Sequence, residues 1–409
     1  TLILTANGHT VKLKAESKTA YVDGKKKKLP IAPKMITYCS SKLTRFMVPL
    51  KETASFLGLT YTWNKKTGTI QLKHYTEPSN ANNNASSAAS TENTSGTEEV
   101  DSNTSSIEMP DANEEEIAAF HYTMSLIRPE DVAQGTITCQ DDYKNKRLKI
   151  VMDGNQEKFY KANKPSLASG VTFSCKYSAS SHKTTLYFKT KKINGFQVRE
   201  DSHSIYIKHG APTKIFKNVI VLDAGHGGSD TGATGNGYKE KNMTLSIVKA
   251  AKTYFDNNED YKVYYTRLTD TYPSLSDRYQ LANEVKADLF ISVHINSAGK
   301  TATGTETLYN PDRNKKSSAG LSCYQLASYT HKYVKAATGF TNRGLKKRCS
   351  RLGNGLAVLS HNNGPATLTE IGFISNPSEA KKMNQNLASY GKAIYESVLY
   401  SSSQRPTGR

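Results

Sequence analysis

Cysteine is scarce, with five residues in 409, an odd number that never falls into a CxxC spacing. That excludes a thiolate metal framework and a disulfide-dense scaffold. Cys139 and Cys175 share one β-rich segment, and Cys323 and Cys349 lie together in another domain. One or two bridges are open in an oxidising compartment, but free buried thiols are the favoured reading. Long apolar runs are missing as well. No stretch approaches the ~20 residues that cross a bilayer, and hydrophobic residues make up 36% of the chain. The chain opens at Thr1 with no initiator Met and no basic-then-apolar leader, so an export signal is expected to have been cleaved or to lie outside this sequence. There is no helix-turn-helix, aromatic RNA-binding motif or zinc finger, so nucleic acid is not an expected partner.

What is present is positive charge. Lys and Arg number 55 against 36 Asp and Glu, a formal charge of +19 that favours polyanions of any kind. A chain of this length divides into two to four domains. Residues 76–116 are almost entirely Asn, Ser, Ala, Thr, Glu and Asp, and predict a disordered acidic linker. Before it, residues 1–75 predict a small α+β domain. Short alternating strands around Val11–Leu13 and Tyr21–Val22 meet at an Asp23-Gly24 turn, a helix covers Leu50, Ala54 and Leu57, and a strand pair spans Tyr61–Trp63 and Thr69–Leu72. This run, ending in Thr-Trp-Asn-Lys-Lys-Thr-Gly-Thr-Ile, resembles the small domain named after the copper amine oxidase N-terminus, common on exported proteins of Gram-positive bacteria. It carries no cluster of His, Cys or carboxylate, so the copper in that name implies nothing here. Residues 117–212 predict a β-rich unit. Alternation in Arg147–Met152, Thr185–Lys189 and Ser204–Lys208 points to half-buried antiparallel strands and a β-sandwich. By position and pattern it resembles the AMIN-type wall-targeting domain.

Residues 213–402, followed by a short tail at 403–409, carry the chemistry. Asn218-Val-Ile-Val-Leu-Asp223 is a buried-strand run ending at Ala224-Gly225-His226-Gly227-Gly228, so His226 leaves the strand where open α/β sheets collect ligands. Glu240 precedes a helix marked by Leu245, Val248, Ala251 and Phe255; its structural reading is helix capping. After a strand at Tyr261–Thr266 and a helix over Ser274–Lys286, with Leu275, Ala282 and Val285 inward, a second apolar strand ends at His294. A third ends at Glu370. The predicted fold is α/β, a mostly parallel open twisted sheet flanked by helices, with two His and two Glu on one rim. Zinc accepts imidazole nitrogen and carboxylate oxygen, and a catalytic site uses three protein ligands with a fourth position open for water. The remaining carboxylate then serves as base.

Four motifs resemble the zinc-dependent N-acetylmuramoyl-L-alanine amidases of the Amidase_3 family over about residues 217–400. They are Gly225–Gly228, with Ala224 where proline is usual, Glu240 with Asn242, Ser292–Asn296, and Glu370–Asn376. The Gly304-Thr-Glu-Thr segment and the helix with Arg278, Ala282 and Asn283 match too. The resemblance implies that His226, Glu240 and His294 bind zinc and that Glu370 is the catalytic acid/base. It implies a secreted, wall-associated enzyme that cuts the amide between N-acetylmuramic acid and the L-alanine of the stem peptide. Peptidoglycan is the expected partner, with anionic wall polymers drawn by the charge. The competing readings are a zinc carboxypeptidase acting on stem peptides, disfavoured by the absent H-E-x-x-H helix, and a non-catalytic wall-binding or regulatory protein.

Overall fold

The computed structural model describes residues 2–6, 9–15, 17–29, 32–38, 43–47, 53, 59–64, 69–74, 105–107, 109–133, 135–256, 258, 260–313 and 320–405. The chain forms two compact units, Thr1–Gly96 and Thr97–Arg409. In the first, strands Leu2–Ala6, His9–Leu13, Thr19–Val22 and Lys25–Lys28 pair antiparallel in sequential order. Asp23 and Gly24 both take positive φ, 49° and 77°, as a two-residue hairpin turn matching the strand twist requires. Val11, Leu13, Ala20 and Leu29 are buried. Two further hairpins join Lys34–Tyr38 to Leu43–Met47 and Leu59–Asn64 to Thr69–His74. The expected helix over Leu50–Leu57 lies outside the described residues except for Thr53, as does Cys39.

The second unit begins with two antiparallel sheets. Five strands run in the order Thr172–Ser178, Lys183–Lys189, Arg147–Asp153, Thr138–Asp142, Ser105–Ile107, and three in the order Met124–Ile127, Ser204–Gly210, Gly195–Glu200. Alternate residues of both sheets meet in one core, with Leu148, Ile150, Leu186 and Phe188 from one and Leu126, Val198, Ile205 and Ile207 from the other. This middle sandwich starts earlier than residue 117. The linker expected over 76–116 lies outside the described residues as far as 104, but Ser105–Ile107 pairs with Cys139–Asp141. Glu114–Phe120 is a helix whose Asn113 and Glu116 form a reciprocal capping box. Polar residues that read as solvated chain are here a cap, while Ile107 and Met109 pack on the core.

The remainder is an α/β layer. A six-stranded sheet has the order β2 (Tyr261–Tyr265), β1 (Asn218–Ala224), β3 (Leu289–Asn296), β6 (Ala366–Phe373), β4 (Thr305–Tyr309), β5 (Asn342–Lys347). Pairs β1/β2, β1/β3, β3/β6 and β4/β5 are parallel and β4/β6 is antiparallel. Because both faces are covered, β1 is apolar on both. Ile220 and Leu222 meet helices α1 (Glu240–Phe255), α3 (Cys323–Thr338) and α4 (Leu387–Ser403). Val219 and Val221 meet α2 (Leu275–Glu284) on the other face. Ser274 and Asp277 close a capping box at the start of α2. Leu275 was expected inward, but as the first residue of α2 it is exposed, whereas Ala282 and Val285 are buried. Cys139, Cys175, Cys323 and Cys349 are all free.

Candidate metal centre

Two strand positions and one helix start bring the histidines and Glu240 together. His226 follows β1 in a left-handed conformation (φ 61°), and Gly227 and Gly228 continue at 130° and 55°, so the chain reverses sharply and turns the imidazole back over the sheet edge. Gly225 is required for a different reason. A Cβ there would collide with the His294 imidazole. His294 and Glu370 stand inside strands rather than at the strand ends expected for them, and are direct register partners across β3 and β6. Glu240 opens α1, where Lys239 supplies no side-chain cap.

The donor atoms of His226, Glu240 and His294 all lie within 4.8 Å of one another. Glu240 Oε1 sits 3.2 Å from His226 Nε2 and 2.9 Å from His294 Nδ1, and accepts the Ile295 N–H at 2.9 Å. Its Oε2 accepts from Ala233 N at 2.8 Å. Burial opposes ionisation of Glu240, but the two imidazoles outweigh it and hold the carboxyl well below its usual range. Burial likewise opposes charge on His226, yet Glu240 and Asp230 raise its pKa to about 9. The pocket therefore seeks positive charge, and two imidazole nitrogens with one ionised carboxylate are a donor set that zinc accepts.

Sequence reasoning assigned no role to the residues that orient these side chains. His226 Nδ1 donates to Asp230 Oδ2 at 2.8 Å, which leaves Nε2 facing Glu240, while Asp230 Oδ1 accepts from Gly232 N. A carboxylate four residues after the histidine, on the same loop, was the available signal. Asp223, fully buried at the end of β1, accepts from Thr266, Arg278 and Ser292. Arg278 also donates to the carbonyls of Ala224 and His226. Arg267, fully buried, donates to the carbonyls of Ala224, Gly225 and Lys241. A buried acid ending an apolar strand needs such a cation, so Asp223 itself was the clue. Replacing Asp230 by asparagine is expected to weaken zinc binding by about 10–100-fold, the usual cost of losing a partner behind a histidine ligand; competition against a chromophoric chelator measures it.

Glu370 differs from Glu240 in its surroundings. Its Oε2 is sealed from solvent with no hydrogen-bond partner. Burial raises its pKa to about 7, the carboxylates of Glu240 and Glu306 push the same way, and His294 and His226 oppose. Glu306 is its register partner in β4, held by Asn296 at 3.0 Å and Arg343 at 2.7 Å. A carboxyl poised near neutrality beside an ionised one is the pattern of an acid/base next to a ligand.

The family described as N-acetylmuramoyl-L-alanine amidase, Amidase_3, matches residues 220–400, which contain all four residues. The sporulation-specific N-acetylmuramoyl-L-alanine amidase of Bacillus subtilis is 42% identical over 165 residues, 40% of this chain and 59% of that one. The endolysin of Bacillus phage SPP1 is 39% identical over 168 residues, 41% and 59%. The uncharacterized protein YqiI of Bacillus subtilis is 32% identical over 165 residues, 40% and 74%. The chain thus spans about three-fifths of the length of the first two relatives.

Proposed function

This chain belongs to the Amidase_3 family of N-acetylmuramoyl-L-alanine amidases, and from that premise we propose that it is a zinc-dependent peptidoglycan hydrolase. It cleaves the amide joining the lactyl group of N-acetylmuramic acid to the L-alanine of the stem peptide. The observation that supports this most is the convergence of His226, Glu240 and His294 with the unpartnered Oε2 of Glu370 across the strand pair from His294.

In this reading His226, His294 and Glu240 would hold the ion, through Nε2, Nδ1 and a carboxylate oxygen. When bound, zinc supplies a Lewis acid that makes water acidic near neutral pH and polarises the scissile carbonyl. Glu370 takes the proton of the attacking water on Oε2 and returns it to the departing nitrogen, so the L-alanine leaves as a free amine. Asp230 keeps the His226 Nε2 lone pair turned inward, and Arg278 and Arg267 fix the loop that carries it.

The base role sets a pH dependence. Glu370 works only when deprotonated, so activity falls as pH drops through its pKa. That pKa is about 7 without the ion, and a divalent cation nearby draws it lower. The acidic limb of kcat/KM is therefore expected at or below pH 7, with a slope of about tenfold per unit. A limb centred well above pH 7, or none down to pH 4, would contradict the assignment.

The function is tested by digesting purified sacculi and analysing the fragments by mass spectrometry. New N-terminal L-alanine amines on released stem peptides are expected. Release of C-terminal residues would indicate the carboxypeptidase, and intact sacculi the non-catalytic wall protein. The same reading places the enzyme outside the cell at the wall, where anionic polymers attract its +19 charge; wall binding is then expected to weaken with salt. Among the described residues no helix is long and apolar enough to cross a membrane.

A further inference from the structure

β2 is the outer strand of the six-stranded sheet on the side of His226, and the middle sandwich occupies its free edge. Tyr143, fully buried in the short turn Tyr143–Asn145, donates its hydroxyl to the carbonyl of Tyr265 at 2.7 Å and accepts the Tyr265 N–H at 3.1 Å. Both backbone groups at the end of an edge strand are thereby satisfied by one side chain. Lys144 Nζ donates to the carbonyl of Thr266 at 3.0 Å. Lys262, near the strand's start, pairs with buried Asp141 at 2.5 Å. The Tyr143 ring packs edge-on against Tyr264, with centroids 5.0 Å apart, in a core shared with Val219, Val221 and Phe290 of the catalytic sheet.

The residues held in this way lead directly to the metal centre. Thr266 donates to Asp223 at 2.6 Å, and Arg267 clamps the carbonyls of Ala224 and Gly225 immediately before His226. We propose that Tyr143 and Lys144 are positioning residues of the metal centre. They fix residues 265 and 266 and, through Thr266 and Arg267, the loop that presents His226. The middle sandwich is on this account a working part of the catalytic unit rather than a spacer. The inference rests on the reading above in taking His226 as a ligand.

The test uses the full chain with Tyr143→Phe and Lys144→Met, and Tyr160→Phe as control. Tyr160 is also buried in the sandwich, but its hydroxyl donates to Ile127, within that domain. Zinc affinity is read by chelator competition, the geometry of the site by the visible spectrum of the cobalt-loaded protein, and folding by thermal unfolding. Tyr143→Phe is expected to weaken zinc binding by about 3–10-fold, less than a direct partner of a ligand costs, and to alter the cobalt spectrum. Lys144→Met should do the same more weakly, and it carries the test alone if Tyr143→Phe fails to fold. Tyr160→Phe should lower Tm and leave affinity and spectrum at parental values. Parental affinity and spectrum in the Tyr143 and Lys144 variants would overturn the inference, as would an equal loss in Tyr160→Phe. A parent that binds no zinc would instead overturn the proposed function.

Discussion

Replacing Glu370 by glutamine is expected to lower kcat for amide hydrolysis by about 10²–10⁴-fold, the usual contribution of a positioned proton-transfer group, while zinc stoichiometry and fold stay parental. Glutamine keeps the shape of the side chain but cannot accept a proton. The expectation follows from the placement of Glu370. It stands beside His294 in register, and its Oε2 is sealed from solvent with no hydrogen-bond partner, so no neighbour competes for the proton it takes up. Rates on sacculi at matched zinc loading measure the effect. Activity within a few-fold of the parent would remove Glu370 from the reaction.

Replacing His294 by alanine is expected to have the second large effect, loss of both zinc and activity. Its Nδ1 is one of three donors around a single point, and removing a ligand should cost more than the ~10–100-fold of removing a residue behind one. It also takes one of two imidazoles from Glu240, which leaves a buried carboxylate less compensated and raises its pKa from the depressed value it now holds. Metal analysis after gel filtration distinguishes this variant from Glu370→Gln. Full zinc occupancy in His294→Ala would show that the ion is held elsewhere.

How much of this was legible in the sequence depended on range. β1 and β3 could be read because a strand buried on both faces leaves a continuous apolar run, and a histidine following such a run stands out. The Asp23-Gly24 turn was legible because few residue pairs accept two positive φ values. Local polar runs misled where their partners lay close by. Asn113 and Glu116 looked like linker, but together they cap a helix. Contacts formed across long separations left no local mark. Tyr143 touches Tyr265 over 122 residues of sequence, and Arg343 reaches Glu306 over 37; neither pairing has a periodicity to betray it. Asp230 lay between these cases, four residues from His226 but on a loop whose shape depends on Gly227, Gly228 and Gly232 at positive φ.

The most direct measurement is a crystal structure of the zinc-soaked protein with diffraction data collected on either side of the zinc absorption edge. One anomalous peak is expected within coordination distance of His226 Nε2, His294 Nδ1 and a Glu240 oxygen, with Glu370 close by but not bonded to the ion. A peak at another site, or ligation by Glu370 in place of Glu240, would contradict the account.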